Sequence, residues 1–178
     1  SPAVLTQSEA YRRVERNLYR SLPPHLLEAE VELLGLLLLD LCNPLDVLGV
    51  ITNADIFYDK RHQVIYQAML DLDQQKLPTS LVPVIDRLNA TDELEKIGGK
   101  QFLIDITDSQ HNSLRGSKVG ECANLLVDKW IRRQLIQVAS QVSVLGHEQA
   151  SPLDTILDEG ERLVYGIRNL QPTKKTLP

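Results

Sequence analysis

The sequence contains few cysteines, few aromatic residues and no long apolar run. Its two cysteines, Cys42 and Cys122, lie far apart and show no Cys-x-x-Cys or Cys/His spacing, which argues against a disulfide framework or a zinc site. The longest apolar run, Leu33 to Leu39, is well short of the roughly 18 residues that a membrane span requires. We therefore expect no membrane segment and a reducing compartment, the cytoplasm, with the plastid stroma as an open alternative.

Positive charge is also scarce, because 19 lysines and arginines stand against 24 aspartates and glutamates, which gives a net charge of -5. A surface of this sign is unsuited to neutralising phosphates, so any role on DNA should be indirect. Ser1 to Arg20 is polar and lacks the apolar core of a signal peptide. We interpret this segment as a solvated tail or a short marginal helix. It contains four arginines: Arg12, Arg13, Arg16 and Arg20.

Residue patterns typical of catalysis or of ligand binding are missing as well. Gly98-Gly99-Lys100 suggests a phosphate loop, but Leu94 stands where the first Walker A glycine would be and Gln101 where the hydroxyl residue would be. The histidines share no metal-binding spacing: His25, His62, His111 and His147. Serines and carboxylates likewise show no catalytic arrangement. We therefore expect no catalytic residue, no metal and no cofactor in this chain.

Apolar residues recur every three or four positions over most of the chain, which is the period of an amphipathic helix. Pro23-Pro24 ends the N-terminal segment, and the first such pattern starts at His25. Asn43 and Asp59 can each cap a further helix, and Gly98-Gly99 breaks the chain before another. No segment alternates apolar and polar residues as a half-buried strand does. The predicted fold class is all-α.

Two long apolar stripes follow a polar loop at about residues 108–118. The first predicts a helix of nearly thirty residues that ends at Gly146: Val127, Ile131, Leu135, Val138, Val142 and Leu145. Ser151-Pro152 with Asp154 offers a capping box and a proline start for the second. That stripe consists of Leu153, Leu157, Gly160, Val164 and Ile167. The predicted architecture is a compact helical bundle followed by a long antiparallel helical hairpin.

These patterns divide the chain into four segments. A polar N-terminal tail is assigned to residues 1–22, the helical bundle to residues 23–110 and the helical hairpin to residues 117–170. Residues 171–178 are interpreted as the start of a linker.

Five short motifs can be read along these helices. Three lie in the predicted bundle: Pro23-Pro24-His25 with Glu28-Ala29-Glu30 and Leu34-Gly35, then Phe57-Tyr58 with His62 and Ile65-Tyr66, then Leu94-Glu95-Lys96-Ile97-Gly98-Gly99 with Phe102-Leu103. Two lie in the predicted hairpin: Ala123-Asn124-Leu125-Leu126 through Arg132-Arg133-Gln134-Leu135-Ile136, and Ile156-Leu157-Asp158-Glu159-Gly160-Glu161 with Ile167. In this order and spacing they resemble the N-terminal domain of replicative DNA helicases of the DnaB family, from about Pro23 to Leu170.

The resemblance implies a domain that is not itself an enzyme but belongs to an ATP-dependent DNA helicase. ATP and Mg²⁺ would then bind to an ATPase domain beyond the linker, not to this chain. Three roles are implied for the domain itself: pairing of hairpins into dimers, closure of a ring of three such dimers, and docking of the C-terminal helical domain of a primase. The histidine and the aromatic residues of the motifs are expected to support the fold.

Candidate interaction residues follow from the predicted hairpin. Its apolar faces are wider than its own contact seam, so we expect self-association through the hairpin. The candidate oligomer interface is Leu126, Trp130 and Ile156, with Val127, Ile131, Leu135 and Leu157 as the inner seam. Helix ends and the hairpin turn stay exposed once that seam is buried, which places the candidate primase-docking residues at Arg132, Arg133, Gln137 and His147.

Two other functions stay open at the level of sequence. A stand-alone helical adaptor or regulatory protein could share the same fold motifs, and it would differ in lacking a reading frame that continues into a linker helix and a Walker A motif. A small metal-dependent helical hydrolase would need clustered histidine and aspartate ligands, and metal analysis of the purified protein would test for them.

Overall fold

The computed structural model of the chain describes residues 6–18, 22–109 and 118–172. Within these ranges the chain forms helices joined by turns, and no strand. In chain order the helices are α1 (Gln7–Leu18), α2 (Leu27–Leu38), α3 (Pro44–Leu48), α4 (Lys60–Gln74), α5 (Leu81–Ala90), α6 (Gly99–Asp108), α7 (Lys118–His147) and α8 (Leu153–Arg168). The predicted all-α fold, a helical bundle followed by an antiparallel hairpin of α7 and α8, is confirmed.

Helix α2 lies at the centre of the bundle. Its residues 33–38 are all buried, because α4, α6 and α7 pack around this helix. A helix that is apolar on every side is stable only in such a central position. Each fully buried leucine contributes about 1.5–3 kcal/mol relative to an exposed one. The run of leucines that begins at Leu33 therefore fixes the position of α2 in the core.

Side-chain caps set the beginnings of two helices in the bundle. The Asn43 side chain accepts a hydrogen bond from the Leu45 amide at 3.1 Å at the start of α3. The Asp59 side chain accepts one from the Arg61 amide at 2.8 Å at the start of α4. Each cap satisfies an amide that has no partner within its own helix, so both caps confirm the sequence prediction.

Helix α4 contributes a buried tyrosine that links it to the segment after α3. The Tyr66 ring is fully buried, and its hydroxyl group donates a hydrogen bond to the Ile51 carbonyl oxygen at 2.5 Å. Burial raises the pKa of Tyr66 well above its usual range. The hydroxyl is therefore protonated at neutral pH and is free to act as the donor.

The glycine pair before α6 turns the chain as predicted. Gly98 and Gly99 adopt φ values of +108° and +73°, a region that residues with a Cβ atom rarely occupy. A Cβ atom on Gly98 would also lie 3.3 Å from the Cβ atom of Phe102. The two glycines thus end the 3-10 helix Glu95–Ile97 and start α6 in a new direction.

Helix α7 belongs to both parts of the molecule. Its first ten residues bury apolar side chains in the bundle core at spacings of three and one: Val119, Cys122, Ala123, Leu126 and Val127. Beyond the half-buried Ile131 the helix contacts chiefly α8. The bundle therefore includes the start of α7, and the free hairpin is the remainder of that helix together with α8.

The structure corrects one predicted helix start and decides between two alternatives for the N-terminal segment. The capping box at Ser151 is wrong, because Pro152 is the N-cap of α8 and no side chain caps that end. Within the segment assigned to a polar tail, residues 7–18 form α1, which was one of the two alternatives. Most of the predicted loop before the hairpin, residues 110–117, lies outside the described residues. No helix in the described part of the chain is both long and apolar enough to cross a membrane.

Candidate interaction surfaces

An uncovered apolar surface lies on the hairpin. Helix α8 has no buried residue, although apolar residues recur along it at helical spacing. Val164 is 53% exposed and Tyr165 is 70% exposed. Together with α7 they line an open apolar depression whose other members include Val142, Leu145, Ile156 and Leu157. An apolar patch of this kind on a soluble protein usually marks a protein-interaction site.

A second surface is the groove between α3 and α7. Trp130 and Ile131 form part of its apolar lining and pack against the edge of the bundle core. Leu45 and Val50 lie on the opposite side. The residues that follow α8, Asn169 to Pro172, line the same groove. The antiparallel hairpin thus returns the chain to the bundle next to Trp130.

One arginine of α7 ties the hairpin to two segments of the bundle. Arg133 donates hydrogen bonds through Nη1 to the Pro24 carbonyl oxygen and through Nη2 to the Ile56 carbonyl oxygen, both at 2.8 Å. Its guanidinium carbon lies 5.4 Å from the centre of the Tyr58 ring, which stacks on His25 at 4.4 Å. Burial lowers the pKa of Arg133, but the group stays cationic at any physiological pH. This junction fixes the direction in which α7 leaves the bundle.

A buried carboxylate lies next to this junction, at the start of α4. Glu30 on α2 is 1% exposed, and its carboxylate accepts hydrogen bonds from the Tyr58 amide at 2.8 Å and the Asp59 amide at 3.2 Å. The His62 Nδ1 atom lies 2.9 Å from the Glu30 Oε1 atom. A buried carboxylate is tolerated only with such partners. His62 therefore has the structural role that the sequence predicted, because its contact with Glu30 joins α4 to α2.

Of the two thiols, Cys42 is partly buried and Cys122 is buried. Burial, with a smaller contribution from nearby carboxylates, raises the pKa of Cys42 and of Cys122 to about 11. A thiol with so high a pKa is mostly protonated at neutral pH and is a poor nucleophile and metal ligand. Both cysteines act as small apolar residues of the bundle.

The structure corrects two of the predicted interaction residues. Leu126 is 1% exposed in the bundle core, so none of its surface is left for an oligomer interface. Arg133 does not present its guanidinium to a partner, because that group already binds two bundle carbonyl groups. Both positions occur at the place where α7 crosses from core to surface. The apolar periodicity of α7 does not change there, so the sequence alone does not show where the helix leaves the core.

The other predicted residues lie apart from one another. Ile156 lines the apolar depression of the hairpin, whereas Trp130 lines the groove at the bundle. Arg132 is exposed and pairs with Asp128 at 2.8 Å. Gln137 is exposed farther along α7, and the His147 Nδ1 atom lies 2.8 Å from the Ser143 carbonyl oxygen at the end of that helix. The three polar candidates, Arg132, Gln137 and His147, therefore do not form one cluster.

Sequence reasoning missed Glu30 as the centre of a buried network. A signal was present, because Glu30 precedes Leu34 by four residues and Leu37 by seven and therefore shares their face of α2. A charged residue within the apolar face of a central helix indicates a buried polar partner. The exposed Tyr165 was missed for another reason, since it lies beside the apolar stripe of α8 and not within it.

Comparison with known proteins identifies this arrangement of helices. Residues 22–126 match the family described as the DnaB-like helicase N terminal domain. Replicative DNA helicase DnaB of Synechocystis sp. is 35% identical over 161 residues, which cover 89% of this chain and 18% of that protein. Replicative DNA helicase DnaB of Geobacillus stearothermophilus is 31% identical over 146 residues, which cover 82% of this chain and 31% of that protein. The chain thus spans about a fifth to a third of these relatives.

A solved structure shows the same fold. The crystal structure of the N-terminal domain of DnaB helicase from Mycobacterium tuberculosis superposes with a TM-score of 0.73 at 26% sequence identity. The match covers 82% of this chain and 99% of that one. With the family match over more than half of its residues, this chain belongs to the DnaB-like helicase N-terminal domain family.

Proposed function

We propose that this chain is the non-catalytic assembly domain of a replicative DNA helicase, in which the hairpin of one copy pairs with the hairpin of a second. The observation that carries the proposal is the uncovered apolar face of α8. Val164 and Tyr165 are more than half exposed in the single chain, and no residue of α8 is buried. Covering such a face with another surface is favourable, because it removes apolar area from water.

A second copy of the hairpin is the occupant that this face fits best. In a twofold dimer the same patch occurs on both sides, so an apolar stripe meets an apolar stripe. Helix α8 is about 24 Å long at the usual rise of a helix, which gives room for several such contacts. Two charged residues of α8, Arg162 and Glu159, pair with each other within the helix.

The proposal extends to the whole protein. Three such dimers would close a ring, and a motor domain elsewhere in the protein would bind ATP and Mg²⁺ and act on DNA in the cytoplasm. The domain itself would contact DNA only indirectly, since the chain carries a net charge of -5. Support comes from the relatives, which are named replicative DNA helicases.

Replacing Val164 with glutamate tests the pairing of hairpins. A charge at the centre of the apolar stripe should weaken association by about 2 kcal/mol or more, which is roughly 30-fold in Kd. Sedimentation velocity across a dilution series measures this directly. Val82→Glu is the matched control, because Val82 is 66% exposed on α5 and lies away from the hairpin. If Val164→Glu and Val82→Glu dissociate alike, the dimer uses a different surface.

We further propose that the assembled domain docks the C-terminal helical domain of a primase at the exposed side of α7 and at the hairpin turn. Arg132, Gln137 and His147 remain candidates because all three are exposed. Weak docking is sufficient, since a partner held at the replication fork has a high effective concentration. Exposed polar residues spread along a helix suit a partner that binds reversibly.

Calorimetry with the cognate primase domain tests this second role. Arg132→Glu should reduce the affinity while leaving the oligomer size unchanged, and Lys100→Glu on α6 serves as a control with the same change of charge. If the affinity of Arg132→Glu is unchanged, the primase docks elsewhere, and the bundle becomes the candidate surface. If the unaltered chain binds no primase, the proposed function is limited to assembly.

A further inference from the structure

Two charged residues border the apolar depression of the hairpin. Of the described residues that line it, only Glu161 and Arg168 carry a charge. Both are exposed residues of α8, and no opposite charge in the described part of the chain lies within 4.0 Å of either. Each therefore keeps a charge that a partner can neutralise.

The two charges stand at equal distances from the centre of the exposed face. Glu161 precedes Val164 by three residues, and Arg168 follows Tyr165 by three. Seven residues make almost two helical turns, so Glu161 and Arg168 lie on nearly the same side of α8, roughly 10 Å apart along its axis. One copy thus presents a negative and a positive charge on the two sides of an apolar centre.

This order of charges matches itself when α8 of a second copy runs antiparallel. About a twofold axis between Val164 and Tyr165, Glu161 of each copy lies opposite Arg168 of the other. Two identical ion pairs then form, and the apolar side chains meet between them. A parallel arrangement places Glu161 opposite Glu161 and Arg168 opposite Arg168, which is repulsive. The charges therefore favour the antiparallel arrangement.

The same charges also oppose a shift in register. If one copy slides by four residues, which is about one helical turn, Glu161 lies opposite Val164 of the second copy and Arg168 lies opposite Leu157. Each charge then loses its partner and lies against apolar surface, which costs free energy. Apolar contact alone would not prevent the slide, because apolar residues recur along α8 at helical spacing.

We propose that ion pairs between Glu161 of one copy and Arg168 of the other set the direction and the register of the paired hairpins. The inference rests on the proposed pairing of hairpins and specifies its geometry. Apolar burial supplies most of the affinity, whereas the two charges select one arrangement. The bundles of the two copies then lie on opposite sides of the twofold axis.

Charge reversal at the two positions tests the ion pairs. Glu161→Arg alone and Arg168→Glu alone each turn two attractions into two repulsions, so Kd from sedimentation velocity should rise about fivefold or more. Glu161→Arg/Arg168→Glu restores both ion pairs in reverse order and should bring Kd back close to that of the unaltered chain. Asp86→Arg makes the same change of charge at an exposed position of α5 and should leave Kd unchanged.

Single added cysteines report the direction of pairing. In the antiparallel arrangement the two copies of residue 164 lie next to the axis, whereas the two copies of residue 157 are roughly 22 Å apart along the helices. A short bismaleimide crosslinker should therefore join copies of Val164→Cys but not copies of Leu157→Cys. The chain without an added cysteine gives the background from Cys42 and Cys122. Equal crosslinking at both positions indicates parallel pairing and would overturn the proposal.

The association measurements separate this inference from the proposed function. If neither single reversal raises Kd more than Asp86→Arg does, or if the combined variant fails to restore it, the two charges do not set the arrangement. A dimer that dissociates with Val164→Glu but not with the charge reversals keeps the hairpin contact and loses this register. A dimer that all of these variants leave intact uses a different surface, and both proposals then fail.

Discussion

Replacing Arg133 with alanine is expected to loosen the junction between the hairpin and the bundle. The side chain donates two hydrogen bonds of 2.8 Å, to the carbonyl oxygens of Pro24 and Ile56, and its guanidinium group lies over the Tyr58 ring. These contacts join α7 to the segment before α2 and to the segment before α4. No other described side chain bonds to both carbonyl groups.

The size of the effect follows from these contacts. A hydrogen bond from a charged donor contributes about 1.5–3 kcal/mol, and an exposed cation–π contact contributes about 0.5–1 kcal/mol. The contacts share one side chain and are not additive, so we expect a loss of about 3 kcal/mol, roughly 100-fold in the unfolding constant. Arg133→Lys should recover only part of it, because an ammonium group lacks the planar fork that reaches two carbonyl groups.

Urea denaturation followed by circular dichroism measures the loss. Arg132→Ala is the matched control, because Arg132 is the neighbouring residue and is exposed, with one i,i+4 ion pair to Asp128. Both variants should be compared at the same protein concentration, since the proposed self-association would also stabilise the folded state. An Arg133→Ala midpoint equal to that of Arg132→Ala would refute the role of Arg133 in the junction.

Three further predictions concern the bundle. Glu30→Ala should lower the free energy of unfolding by about 3–5 kcal/mol, because the Tyr58 and Asp59 amides and His62 lose their partner. Glu28→Ala, at an exposed position of the same helix, should change the free energy of unfolding little. The Arg61 hydrogen bond lowers the pKa of Asp59, so its stabilising contribution is complete above about pH 4 and is lost at lower pH. The stability difference between the unaltered chain and Asp59→Asn should therefore shrink on acidification. Cys42 and Cys122, with pKa values of about 11, should react slowly with a disulfide reagent at neutral pH until urea unfolds the chain.

Much of the helical architecture could be predicted from the sequence, because local signals set it. The caps at Asn43 and Asp59 and the glycine pair before α6 act within a few residues of themselves, and the structure contains all three. The capping box at Ser151 failed because Pro152 takes the N-cap position of α8. Local patterns thus predict that a helix exists better than they predict the residue at which it begins.

The interaction residues were harder to predict, because burial depends on contacts far apart in sequence. Val127 and Leu157 belong to equally regular apolar stripes, yet Val127 is 4% exposed in the bundle core and Leu157 is 52% exposed. Arg133 looks like a surface arginine until its partners at Pro24 and Ile56 are known, and these lie 109 and 77 positions away. Periodicity shows which side of a helix is apolar but not what covers it.

The continuity of α7 has a mechanical consequence. The helix is about 45 Å long at 1.5 Å per residue, and it has no internal proline at which it could bend. Its first ten residues are fixed in the core, so it behaves as a beam that is clamped at one end and free at the other. A small tilt at Val119 or Ala123 becomes a displacement several times larger at the hairpin turn. In the ring proposed above, the spacing of the subunits would therefore respond to substitutions in the bundle core, far from the proposed hairpin contact.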